Sequence, residues 1–121
     1  MLRHYGITRP VESLNEHNEA AASQNILLHL KAGRSVALIS DAGTPVFSDP
    51  GSILVGKAVQ AGLRVVPIPG ASSLMPALTV SGFPIDRFVF YGWLSAKKER
   101  RRAELKQLMQ ERRTIVLMDT P

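Results

Sequence analysis

Ser35-Val36-Ala37-Leu38-Ile39-Ser40-Asp41-Ala42-Gly43-Thr44-Pro45 is the stretch whose reading decides the fold. Its first five residues form a short apolar run between turn formers, which predicts a strand buried on both faces of a parallel sheet. From Ser40 to Gly51 all periodicity stops. The same grammar returns further on, where Arg64-Val65-Val66-Pro67-Ile68 predicts a second strand and Pro69-Gly70-Ala71-Ser72-Ser73 a second loop. Ligands of open α/β sheets bind beyond the carboxyl ends of strands, and parallel strands bring two such loops to one edge.

Working outward, Glu16 to Lys31 reads as a helix with Ile26, Leu27 and Leu30 on its apolar face and Gly33 as its stop. A second helix is expected from Ser52 to Ala61, closed by Gly62. Asp49 before Pro50-Gly51 reads first as its N-cap, ahead of a carboxylate pair with Asp41. A third helix, capped by Ser72 or Ser73, tolerates Pro76 in its first turn and ends near Gly82-Phe83-Pro84. Arg87 to Tyr91 predicts a strand, Lys98 to Gln110 a basic helix and Thr114 to Met118 a last strand. The alternation gives an α/β class with a largely parallel sheet flanked by helices. A linker is expected near residues 92 to 97, dividing the chain into 1–92 and 93–121.

The 121 residues fit the size of one compact domain, and 45% hydrophobic against 21% charged residues can fill a core. With no cysteine, disulfides, thiolate metal sites and a Cys nucleophile are excluded. No apolar run approaches the length of a membrane span and no signal-peptide pattern follows Met1, so a cytoplasmic setting is expected. The net charge of +5 is concentrated: eight Lys and Arg against three Glu lie between Lys97 and Arg113, and the remainder balances. Such a segment is either a solvated helix face or a local anion-facing patch.

At the two loops, Gly43 and Gly70 let backbone approach a ligand, and Thr44, Ser72 and Ser73 offer hydroxyls. Neither loop is a Walker sequence or a Gly-x-Gly-x-x-Gly fingerprint, so spacing alone indicates a small-ligand site or a plain chain turn. His17, within Asn15-Glu16-His17-Asn18-Glu19, reads as surface capping before a helix, since no second ligand stands at metal spacing. No metal site and no Ser-His-Asp arrangement emerges.

Val36 to Pro45 with Ser48-Asp49-Pro50-Gly51 resembles the hallmark of the tetrapyrrole methylase superfamily, closest to its branch that 2′-O-methylates small-subunit ribosomal RNA. Glu16-His17-Asn18-Glu19, Val65 to Ser73, Ser81 to Phe88, Gly92-Trp93-Leu94 and Arg113 to Leu117 match that pattern in order, over nearly the whole chain. The resemblance implies an S-adenosylmethionine cofactor held between two α/β domains, usually in a homodimer. It places Ala42, Gly43, Thr44, Val46 and Phe47 on the first cofactor loop, Ser72 and Ser73 on the second, and Met118 on a strand bordering the adenosine. The family's opening strand and Gly-Asn loop have no counterpart here, and its second domain continues further. A fragment is therefore expected, comprising a partial first domain and the start of a second.

For the intact enzyme the resemblance implies methylation of a cytidine ribose in small-subunit (16S) rRNA. Asp41, beside the first loop, is the candidate for activating the hydroxyl, with backbone orientation as its other reading. Lys97, Lys98, Arg100, Arg101 and Arg102 would then meet RNA phosphates. A tetrapyrrole C-methyltransferase is the rival within the class, although Thr44 stands where those enzymes carry Asp. A non-catalytic RNA- or nucleotide-binding module is the rival outside it.

Overall fold

The computed structural model describes residues 2–119. The chain divides into two compact units, Met1–Ser72 and Ser73–Pro121.

In the first unit a short 3-10 helix, Leu2–Tyr5, precedes helices α1 (Glu19–Lys31) and α2 (Ser52–Gln60). The two helices pack on each other, burying Ala22 and Ile26 of α1 and Leu54 and Ala58 of α2. Small residues on both sides of the seam let the backbones come close, with Ile26 and Leu54 supplying most of the apolar volume. Ser23 lies on the buried face of α1, fully enclosed, and its hydroxyl has no hydrogen-bond partner among the described residues. The start of α1 falls three residues later than the pattern suggests, because Asn15 and Asn18 build a turn ahead of it. Asn15 Oδ1 accepts from the His17 and Asn18 amides, while Asn18 Oδ1 accepts from the Asn15 amide at 2.8 Å.

The expected strands at 35–39 and 64–68 do not form. Both segments lack paired neighbours among the described residues, and Ile39 and Ile68 are 50% and 80% exposed. A strand exists only through the ladder it shares with another, so an apolar run without a partner stays irregular.

The second unit holds α3 (Leu74–Val80), β1 (Phe88–Trp93), α4 (Lys98–Leu108) and β2 (Thr114–Met118). β1 and β2 pair in parallel from Phe88↔Thr114 to Trp93↔Met118, with a bulge between Phe90 and Gly92. The chain is thus α/β, with α4 carrying it from one parallel strand to the next. β1 spans the expected junction at 92/93. Thr114 anchors the start of β2 by donating its hydroxyl to the Pro84 carbonyl, and Leu78 is the buried residue of α3.

No helix among the described residues is long and apolar enough to cross a membrane.

Candidate functional site

The Ser40–Pro45 turn is folded on itself: the Ser40 hydroxyl reaches the carbonyl oxygens of Ala42 and Gly43 at 3.1 and 3.2 Å. Gly43 takes φ 69°, a left-handed setting that costs glycine little, and this swings Thr44 toward the second loop. There the Thr44 hydroxyl donates to the Ala71 carbonyl at 3.1 Å. A Cβ built on Gly43 would stand 3.9 Å from the same oxygen. The two loops read from the sequence as one ligand edge are therefore in direct contact, 27 residues apart. Asp41, Ala42, Gly43, Thr44 and Phe47 are exposed, Val46 is half-buried and Ser72 is exposed on the second loop.

Between Thr44 and α2 the backbone is bent hard. Val46 and Ser48 have φ of 74° and 58°, and a β-branched residue in that region is a true outlier. The turn ends at Gly51, the N-cap of α2, with φ 129°. Asp49 does not cap this helix, contrary to its reading from local sequence. Glu19 does so from α1: its Oε1 accepts the amides of Gly51 and Ile53, both at 2.8 Å. The replacement has a simple physical basis, since an acceptor is needed at the N-terminal amides and a carboxylate from a packed neighbour satisfies two of them at once.

In the second unit, Ser73 and Met118 meet at a cleft of about 340 Å³ between α3 and β2. Leu74, Leu78, Ile115 and Leu117 supply apolar wall, and Ser81 and Thr114 supply polar atoms. The expected capping role of Ser73 is absent: it stands at the N-cap of α3 in αR conformation, where its hydroxyl makes no cap bond.

The basic segment is α4 and its flanks. Lys97 is the N-cap residue, and none of the helix's own residues is buried. Arg100 pairs with Glu104 at 3.3 Å and Arg102 with Glu99 at 3.7 Å, whereas Lys97, Lys98 and Arg101 form no ion pair among the described residues. Glu104 also accepts the Ser95 amide at 2.8 Å, tying the end of the β1 segment to α4. Past the helix, Glu111 accepts from the backbone amides of Arg112 and Arg113 and from the Arg113 guanidinium at 2.8 and 2.6 Å. These bonds, the Arg113 side chain first, bring the Glu111 carboxyl from 4.5 to about 2 and raise Arg113 in return. His17 stays at the surface with its ring 3.5 Å from Glu16, and it does not cap α1: Asn18 is the N-cap residue and makes no side-chain cap bond, while the side chains of Asn15 and Asn18 close the turn ahead of the helix.

The first unit thus carries two loops in contact, and the second an apolar-walled cleft and a cationic helix. Residues 2–121 match the family of Tetrapyrrole (Corrin/Porphyrin) Methylases. The chain belongs to this family. It is 49% identical over 119 residues to "Ribosomal RNA small subunit methyltransferase I" of Xylella fastidiosa, covering 98% of this chain and 44% of that protein. The like-named protein of Synechocystis is 48% identical over all 121 residues and is covered to 43%, and that of Pseudomonas aeruginosa is 45% identical, also covered to 43%. This tetrapyrrole-methylase chain thus spans less than half the length of the curated relatives it matches. Glu19 and Glu104 are the residues that local patterns missed, because each acts on backbone brought near by tertiary structure; Glu19 did stand within the Glu16 to Glu19 segment that matches the family.

Proposed function

We propose that the chain is part of an S-adenosylmethionine-dependent methyltransferase that methylates the ribose 2′-oxygen of a cytidine in small-subunit ribosomal RNA. The carrying observation is the Thr44–Ala71 hydrogen bond, which joins the two loops expected to hold the cofactor. The names of the relatives support an rRNA substrate.

The residues present suit the cofactor. Ala42, Gly43, Thr44, Val46, Phe47 and Ser72 would hold it along the joined loops, where exposed backbone and hydroxyls offer donors and acceptors for its amino-acid and ribose groups. Ser73 and Met118 would hold it in a second place, a cleft whose apolar walls suit an adenine. When bound, S-adenosylmethionine supplies a methyl group activated by a positively charged sulfur, so the protein's task is alignment and care of the hydroxyl proton. Asp41, exposed on the first loop, is the residue for accepting that proton. Lys97, Lys98, Arg100, Arg101 and Arg102 hold RNA phosphates, with Lys97, Lys98 and Arg101 meeting them without giving up an ion pair among the described residues. In this reading residues 1–92 belong to the cofactor domain and 93–121 open the second, within a cytoplasmic homodimer.

Thr44 favours this reading over methylation of a tetrapyrrole carbon. Its hydroxyl donates to a carbonyl, which the ionised Asp usual in the tetrapyrrole branch cannot do.

The intact protein, incubated with methyl-labelled S-adenosylmethionine and small ribosomal subunits, is expected to place label in a 2′-O-methylcytidine. Label in a corrin or porphyrin precursor instead supports the tetrapyrrole rival, and RNA binding without cofactor affinity supports a non-catalytic module. Reversing the charge of Arg100, Arg101 and Arg102 together is expected to weaken RNA binding and to lower the salt slope by about one for each phosphate no longer neutralised. Cofactor affinity should stay unchanged.

A further inference from the structure

Glu19 sits at the first position of α1, yet its carboxylate serves another element, accepting the Gly51 and Ile53 amides at the head of α2. Gly51 is buried, and a Cβ there would stand 2.7 Å from Leu38 Cδ2 and 3.0 Å from Val46 Cγ2. The Gly51 backbone is thus pressed against Val46, which holds the left-handed φ of 74° that valine avoids. A segment with two non-glycine residues at positive φ keeps that shape only when its ends are restrained. One restraint is the Thr44–Ala71 bond, and the other is Glu19.

We infer that Glu19 is a positioning residue for the first cofactor loop, fixing Gly51 so that Val46 and its neighbours are held in the shape that receives S-adenosylmethionine. The inference rests on the cofactor reading above. Glu19 does not touch the ligand; it acts through Gly51 and Val46.

The test uses the intact protein with S-adenosylmethionine titrated by calorimetry and small-subunit rRNA titrated separately. E19A deletes the acceptor, whereas E19Q retains a neutral oxygen able to accept both amides. E19A is expected to weaken S-adenosylmethionine binding about tenfold, the scale of a lost charge-assisted hydrogen-bond pair, with rRNA affinity unchanged and the Gly51 and Ile53 amide protons moved upfield. E19Q is expected to restore most of the cofactor affinity. Should E19A fail to fold, G51A gives the same reading from the other side, since it keeps Glu19 and drives a methyl group into Leu38 and Val46. Cofactor affinity equal to that of the unaltered protein in E19A, or in G51A where E19A does not fold, overturns the inference, as does an equal loss of rRNA binding. Absence of S-adenosylmethionine binding in the unaltered protein overturns the cofactor reading instead, so the two failures are distinct.

Discussion

Replacing Thr44 by valine preserves its shape and deletes the hydroxyl that reaches the Ala71 carbonyl. A hydrogen bond of this kind contributes about 1 kcal/mol, so T44V is expected to weaken cofactor binding up to roughly fivefold by calorimetry and to lower the unfolding temperature by a few degrees. Ser23 calls for the opposite kind of change. Its hydroxyl is fully buried without a partner among the described residues, in the middle of a helix where alanine is the better former. S23A is expected to raise stability by about 1 kcal/mol in urea unfolding. At Glu111 the folded carboxyl titrates at about 2 and the unfolded one near 4.5, so the stabilisation is complete above the unfolded value and disappears as pH falls through about 2. In R113A the Glu111 midpoint, followed by carboxyl NMR shifts, is expected to rise only part of the way back to 4.5, because the guanidinium is lost while the backbone amides of residues 112 and 113 still donate to the carboxylate.

At the scale of elements, α4 shows how sequence charge and available charge differ. Arg100 and Arg102 share theirs with Glu104 and Glu99, and Arg101 has no such partner among the described residues. R101E is therefore expected to reduce RNA affinity more than R100E, read from binding isotherms at two salt concentrations. The helices and the strand at Thr114 to Met118 were legible because their information is local: apolar spacing, a stop glycine, a β-branched run. So was the meeting of the two loops, since loops after two apolar runs carry the same signal twice, and the Thr44–Ala71 bond joins them. The cap of α2 was not, because Glu19 and Gly51 are 32 residues apart and Asp49 offered a nearer answer. The apolar runs at 35–39 and 64–68 mark residues suited to a sheet, but pairing is a property of a neighbour and cannot be read from the run itself. The vacant Ser73 cap was equally hidden, as it depends on a backbone angle.

At the scale of the molecule, the chain spans 43–44% of the length of the Xylella and Synechocystis relatives, and its apolar runs expose Val36, Ile39, Val65 and Val66. Hydrogen exchange is expected to be fast at 35–39 and 64–68 in this chain alone and markedly slower in a protein of the relatives' full length, if further strands there pair with these apolar runs. Equal exchange in both would show that these segments stay unpaired. The path β1–α4–β2 has a mechanical meaning as well. The helix that carries the cations runs through the Glu111–Arg113 clasp directly into the strand that ends at Met118 in the cleft wall. If RNA phosphates engage α4 and a ligand engages the cleft, as proposed, a setting of α4 favoured by the one would bias β2, and thermodynamic linkage makes any such coupling even-handed: each would change the other's affinity by the same factor.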